Sequence, residues 1–218
     1  MSNHQLVLFH APQSRSLSVL TLLKELAIDY KLEVLNIIQE ENLRPEYLAI
    51  NPLGKVPAIK HKETIITEQV AIFIYLADRY SLGDLAPAID DPDRGTYLRW
   101  LTMYAACFEP AVCDKGLERQ PGPRKMSPYG EYDTIIKMLL AQLEQGPYML
   151  GERFSSADLL WGIALWVCTT FGLVESHPLI TQYIERIIQR PSFIEANKLD
   201  AELVAVQKAA MEEVANSE

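Results

Sequence analysis

Short apolar runs alternate with helical stripes through residues 1–80, and beyond them only helical stripes recur. Leu6-Val7-Leu8-Phe9 is an unbroken apolar run closed by Ala11-Pro12, the pattern of a strand buried on both faces. Ser14 reads as an N-cap, because its hydroxyl can accept one of the free N–H groups of a helix start. Val19, Leu22, Leu23, Leu26 and Ala27 then recur at helical spacing up to Asp29. Tyr30, Leu32 and Val34 alternate with Lys31 and Glu33, which is strand period. Strand, helix and strand in this order form a parallel pair with a right-handed crossover. A helical turn over 44–49, a strand over 56–60, a turn at His61-Lys62-Glu63, a strand over 64–66 and a helix over 69–80 follow. This β-α-β-α-β-β-α order is a thioredoxin-like arrangement.

Residues 81–93 carry Gly83, Pro87, Pro92 and four aspartates without periodicity and read as a linker. The remainder, 94–218, is helical: 94–108 ending before Pro110, a Pro/Gly-rich loop over 121–128, then 130–145, 178–190 and 193–214. Ser155-Ser156-Ala157-Asp158 stands before Leu159-Leu160-Trp161 as an S-x-x-D capping box, a helix start stabilised by about 1 kcal/mol. The expected division is an α/β domain over 1–80, a linker over 81–93 and an all-α domain over 94–218.

A hydrophobic content of 49% over 218 residues supports a substantial core. No 18-residue apolar run occurs, and Met1-Ser2-Asn3-His4-Gln5 lacks the basic and apolar regions of a signal peptide, so a cytoplasmic protein with no membrane span is expected. Cys107, Cys113 and Cys168 form neither a CxxC pair nor a Cys/His cluster, so no metal site and no disulfide framework is expected. The net charge of −9 is uneven, with −1 over residues 1–80 and −8 over the rest. Nucleic acid is therefore a poor partner for the acidic second part.

The densest chemical signal lies at Asn51-Pro52-Leu53-Gly54-Lys55-Val56-Pro57, followed by Thr67-Glu68-Gln69-Val70-Ala71-Ile72. A proline in a strand-like run belongs at an edge or a turn, which makes Val56-Pro57 a candidate cis bond. That geometry would turn the Val56 N–H and C=O sideways to receive an extended peptide as an added strand. The helix opening at Thr67-Glu68-Gln69 offers free N–H groups to a carboxylate. Together they describe a site for a small peptide.

These residues resemble the glutathione-binding domain of the cytosolic glutathione transferase family, bacterial type, and the resemblance runs over the whole chain. It implies a thioredoxin-like domain followed by an all-α domain, glutathione as co-substrate, a small hydrophobic electrophile and a homodimer. Val56 and Pro57 would pair with the cysteinyl backbone, Glu68 and Gln69 would hold the γ-glutamyl group, and Asn51 and Lys55 would reach the glycyl carboxylate. Gln69 stands where the family usually has Ser. The capping box at Ser155 also matches the resemblance.

Such a transferase must hold a thiol as thiolate. Lowering a thiol pKa from about 8.5 to about 6.5 requires roughly 2.7 kcal/mol. A helix N-terminus contributes about 0.3 to 1 kcal/mol and a hydroxyl donor about 1 to 3. Ser14 can combine both, with Ser16 in reserve and Arg15 as electrostatic helper. Ala11 occupies the position of the serine in some branches of the family and cannot donate. No cysteine occurs in residues 1–80, which disfavours a mixed disulfide with the protein. Tyr104, Phe108, Val112 and Trp166 are the candidate electrophile-site residues by resemblance, although aromatics at helical spacing are also plain core. The competing readings are a glutathione-dependent isomerase or disulfide-bond reductase, a non-catalytic adaptor and a ligand carrier of the same fold.

Overall fold

The computed structural model describes residues 5–120 and 122–215; Met1 to His4, and Pro121 of the expected loop, lie outside it. Contacts divide the chain into two units, residues 1–76 with 190–218, and residues 77–189.

The first unit is built on a four-stranded sheet of β1 (Leu6–His10), β2 (Lys31–Val34), β3 (Ala58–His61) and β4 (Thr64–Ile66) in the order β2-β1-β3-β4. β1 runs parallel to β2, with His10 opposite Val34, and antiparallel to β3, with Phe9 opposite Ala58. The central apolar run is fully buried on one face only: Leu6, Leu8 and His10 are buried, with Leu8 opposite Ile59, whereas Val7 and Phe9 on the other face are half-buried, so the expected burial of both faces is not met. α1 (Ser16–Glu25) buries Val19, Leu20, Leu22 and Leu23 in near succession, more than one stripe. The reason is a second neighbour. The last helix, α9 (Pro191–Ala215), packs along α1 in this unit, where the expectation placed it in the helical domain. Arg190 and the Ser192 hydroxyl both donate to the Glu25 carboxylate at the end of α1. Burial pushes the Glu25 carboxyl up, but these two donors outweigh it and hold it below its ordinary value. The unit is completed by α2 (Pro45–Leu48) and the start of α3 (Gln69–Ser81).

The second unit contains α4 (Arg94–Met103), α5 (Glu109–Gly116), α6 (Tyr132–Leu143), α7 (Ser156–Thr170) and α8 (Pro178–Ile188). Proline was expected to end the helix before Pro110, yet the chain remains helical to Gly116. A π-turn over Tyr104–Phe108 widens the spiral, the Glu109 N–H bonds Tyr104 C=O, and Pro110 falls in a first turn where its missing N–H is not needed. α7 is buried nearly throughout, and Gly162 is required for its contact with α8, since a Cβ there would stand 2.4 Å from Ile187 Cγ1. The Asp158 carboxylate at the head of α7 accepts from Met149 N–H (2.7 Å), Ser155 N–H (2.8 Å), Ser155 Oγ (3.0 Å) and Tyr183 Oη (3.0 Å). Among the described residues, no helix is long and apolar enough to cross a membrane.

Candidate functional site

Sheet register brings three loops of the first unit to one end. The C-terminal end of β1 lies beside the start of β3, and the end of β4 lies beside that start in turn, with Ile59 opposite Ile66. The segments carrying Ser14, Val56 and Glu68 therefore open at the same edge, although they are far apart in sequence.

The Val56–Pro57 bond is cis, as the sequence pattern suggested. Among the described residues neither the Val56 N–H nor its C=O has a hydrogen-bond partner, so both are available to an extended peptide. The loop before it is held from inside. Asn51, 3% exposed, donates through Nδ2 to Lys55 C=O (2.8 Å) and accepts Leu53 N–H at 3.1 Å. Tyr47 Oη donates to the same Lys55 carbonyl at 2.6 Å, and burial pushes this phenol up to about 12, so it stays a donor. Asn42 Nδ2 donates to Gly54 C=O at 2.8 Å. Gly54 takes φ +61, and a Cβ there would meet Leu43 Cδ2 at 2.8 Å. The structure thus gives Asn51 a place in the loop's own frame, and leaves Lys55 as an exposed cation on this loop. Asn51→Ala is expected to lower stability by about 1 to 2 kcal/mol in urea unfolding, because it removes two loop hydrogen bonds and leaves the Leu53 N–H without its acceptor, while Tyr47 still holds the Lys55 carbonyl.

At the head of α3, Glu68 is exposed and held at φ +64, a left-handed conformation rare outside glycine and asparagine. Gln69 does something the sequence did not announce. Its Nε2 donates to Ser18 Oγ (2.5 Å) and to Arg15 C=O (3.1 Å), which ties the start of α3 to the start of α1. The amide N–H groups are therefore engaged within the fold, and the free N–H groups of the α3 N-terminus are what it presents outward.

Ser14 precedes the helix instead of capping it. The N-cap position falls on Arg15, with no side-chain cap bond, because the turn at Gln13 (φ +56) delays the helix to Ser16. The half-buried Ser14 hydroxyl donates to Ala11 C=O at 2.7 Å, lies 2.7 Å from Ser16 Oγ and accepts Ser16 N–H at 3.2 Å. Leu17 N–H goes to Ser14 C=O and Ser18 N–H to Arg15 C=O, at 3.1 and 3.3 Å. With these α1 amides occupied, the hydroxyl is the stronger candidate donor. Ser16, the reserve candidate, is fully buried and accepts Ala11 N–H at 3.2 Å, whereas Arg15 is exposed.

The four electrophile-site candidates lie in the second unit. Tyr104, Phe108 and Val112 are 2%, 1% and 5% exposed, and the rings of Tyr104 and Phe108 lie 5.7 and 4.9 Å from that of Trp161. Tyr104 Oη donates to Glu109 Oε1 at 2.6 Å. Within this unit they act as core aromatics, and Trp166 is half-buried. Reading the sequence missed Tyr47 and Asp200, and took His10 at the end of the first strand for a structural histidine more readily than for a base. Asp200 did leave a trace: it follows Phe193 and Ala196 on the buried stripe of α9, where an acid needs a partner.

The family model described as "Glutathione S-transferase, N-terminal domain" matches residues 4–78, and that described as "Glutathione S-transferase, C-terminal domain" matches residues 123–191. The chain is 29% identical over 196 residues to "Glutathione S-transferase-like protein gedE" of Aspergillus terreus, covering 79% of this chain and 85% of that protein. It is 26% identical over 201 residues to "Disulfide-bond oxidoreductase YfcG" of Escherichia coli, covering 85% and 91%. Among solved structures, a glutathione transferase of Methylococcus capsulatus superposes with a TM-score of 0.75 at 26% identity, over 90% of this chain and 98% of that one. The fold is also that of glutathione transferase URE2P6 of Phanerochaete chrysosporium, crystallised with oxidized glutathione, with a TM-score of 0.77 at 23% identity over 93% and 99%.

Proposed function

Because the chain belongs to the glutathione S-transferase family, we propose that residues 1–80 bind glutathione as co-substrate and that the protein adds its thiolate to a small apolar electrophile. The observation that carries this reading is the meeting of the Val56 edge, the α3 N-terminus and the Ser14 hydroxyl at one end of the sheet. The Val56 N–H and C=O would pair with the cysteinyl unit as an added strand. The γ-glutamyl carboxylate would sit on the free N–H groups of α3, with Glu68 on its ammonium, and Lys55 would take the glycyl carboxylate. The cysteinyl sulfur would then fall to Ser14. An electrophile site involving Tyr104, Phe108, Val112 and Trp166, a homodimer and a cytoplasmic location belong to the same proposal.

Disulfide-bond reduction is the second reading, favoured by the similarity to the Escherichia coli disulfide-bond oxidoreductase. Residues 1–80 contain no cysteine, so such a reaction would run through glutathione thiols. Turnover of chlorodinitrobenzene against hydroxyethyl disulfide separates the two, and transferase activity predicts the former as the better substrate.

Retention on immobilised glutathione with elution by free glutathione is the first test, and failure to bind would favour an adaptor or carrier. In calorimetric titration, Glu68→Gln is expected to weaken glutathione binding by about 1.5 to 3 kcal/mol, by losing one partner of a charge-assisted bond. Gln69→Ala should cost only about 1 kcal/mol, since its side chain holds α1 and α3 together while its backbone donor remains. Equal affinity in all three proteins would place the ligand elsewhere.

A further inference from the structure

A line of four polar side chains runs through the first unit from α9 to the site. Asp200 Oδ1 stands 3.1 Å from His10 Nε2, His10 Nδ1 lies 2.7 Å from Ser16 Oγ, and Ser16 Oγ lies 2.7 Å from Ser14 Oγ. His10 and Ser16 are 0% exposed and Asp200 is 4% exposed, whereas Ser14 reaches the surface. Buried polar groups are retained where something compensates their desolvation. Ser16 is sealed from any substrate, so the line is not a hydrolytic triad, and its only open end is Ser14.

We propose that His10 and Asp200 are positioning residues that turn the Ser14 hydroxyl outward as a donor to bound thiolate, which rests on the reading of Ser14 given above. The direction of the line depends on His10. When the imidazole is neutral with its proton on Nε2 toward Asp200, Nδ1 accepts the Ser16 hydroxyl proton. Ser16 then takes Ala11 N–H and can accept from Ser14, so the Ser14 proton is drawn inward. When the imidazole is charged, Nδ1 donates to Ser16, whose own proton goes to Ser14 Oγ at 2.7 Å in preference to the Ala11 carbonyl at 3.1 Å, and the Ser14 proton is released from Ser16. A thiolate competes for it with the Ala11 carbonyl alone. Each donor in such a chain polarises the next.

Asp200 is placed to support the charged form. Among the described residues His10 Nε2 faces no acceptor other than the Asp200 carboxylate, 3.1 Å away and off hydrogen-bond geometry. The same carboxylate accepts Gln13 N–H at 3.0 Å through Oδ2, which fixes the turn ahead of Ser14. Other charged groups on the packed elements have partners away from His10. On β2, Lys31 pairs with Glu33; on β3, Lys60 pairs with Glu63; and on α1, Lys24 and Glu25 meet Glu195 and Arg190. On α9, Lys198 pairs with Glu202. His61 on β3 bonds Tyr75 Oη at 2.7 Å.

The test is the pH profile of kcat with glutathione and chlorodinitrobenzene in the full chain. Wild type is expected to show a descending alkaline limb that requires His10 and Asp200. His10→Gln should lack that limb and lower kcat about 10-fold near neutrality, with KM for glutathione within about 2-fold. Asp200→Asn keeps an oxygen for the Gln13 N–H but removes the charge, so the limb should move to lower pH. In a Ser14→Ala background neither substitution should add more than about 2-fold. An alkaline limb unchanged in both variants, or equal losses with and without Ser14, would overturn the proposal. If Ser14→Ala alone leaves kcat unchanged while glutathione still binds, the Ser14 reading falls and takes this one with it. Additive losses beside a large Ser14 effect would overturn only the role of His10 and Asp200.

Discussion

Ser14→Ala is expected to lower turnover about 10- to 1,000-fold while leaving glutathione affinity nearly unchanged. The hydroxyl is half-buried at the open end of the sheet, and its proton is held by nothing stronger than a backbone carbonyl 2.7 Å away. A thiolate is a better acceptor than that carbonyl, so donation is gained when the anion forms and not when the peptide binds. The helix start adds less than a free N-terminus would, since Ser16, Leu17 and Ser18 N–H already have acceptors. Most of the thiolate stabilisation would therefore be lost with the hydroxyl. Thiolate absorbance of the bound peptide should show its pKa rising by about one to two, equivalent to about 1.4 to 2.7 kcal/mol. The variant should stay folded, because the lost internal bonds are worth only about 1 kcal/mol. An unchanged thiol pKa would move the role to backbone amides.

Asp158→Ala should have the largest effect on stability, a loss of about 3 to 5 kcal/mol. One fully buried carboxylate satisfies two backbone N–H groups and two hydroxyls, and alanine removes that acceptor from all four, leaving Tyr183 Oη only the long contact to the residue 158 carbonyl at 3.4 Å. These groups join the 149 segment, the head of α7 and α8, so the loss is felt across the helical unit. Thermal unfolding should move down by about 6 to 20 °C for a chain of this size. Burial pushes the Asp158 carboxyl up to about 6 from an ordinary 3.8, against the pull of the four donors. The folded chain then binds this proton more tightly than the unfolded chain does. Its stabilising contribution is full below about 4 and is lost as pH rises through about 6. The gap corresponds to about 3 kcal/mol. Unfolding free energy of wild type relative to Asp158→Asn should accordingly fall between those pH values, and a difference flat in pH would refute the shift.

Features with local causes could be read from the chain alone. The apolar run at Leu6, the alternation at Tyr30 to Val34 and the S-x-x-D box each reflect periodicity or capping within a few residues, and each formed where expected. Val56-Pro57 belonged to this class, because proline acts on its own peptide bond. The capping box was legible, but its worth was not, since Met149 and Tyr183 arrive from outside it.

Partners chosen by packing could not be read. Asn51 and Gln69 have side chains that can bind either a ligand or the backbone, and only the arrival of Lys55 and of α1 decided for the backbone. Pro110 ends a regular helix, but the π-turn before it shifts the frame so that the missing N–H is not needed. Tyr104 and Phe108 have the same spacing whether they line a pocket or fill a core, and Trp161 from α7 places them in the core of their unit. Asp200 meets His10 across 190 residues, because α9 returns to cover α1. A charge on a buried stripe signals in sequence that a partner must exist; which residue it is depends on the path of the chain between them.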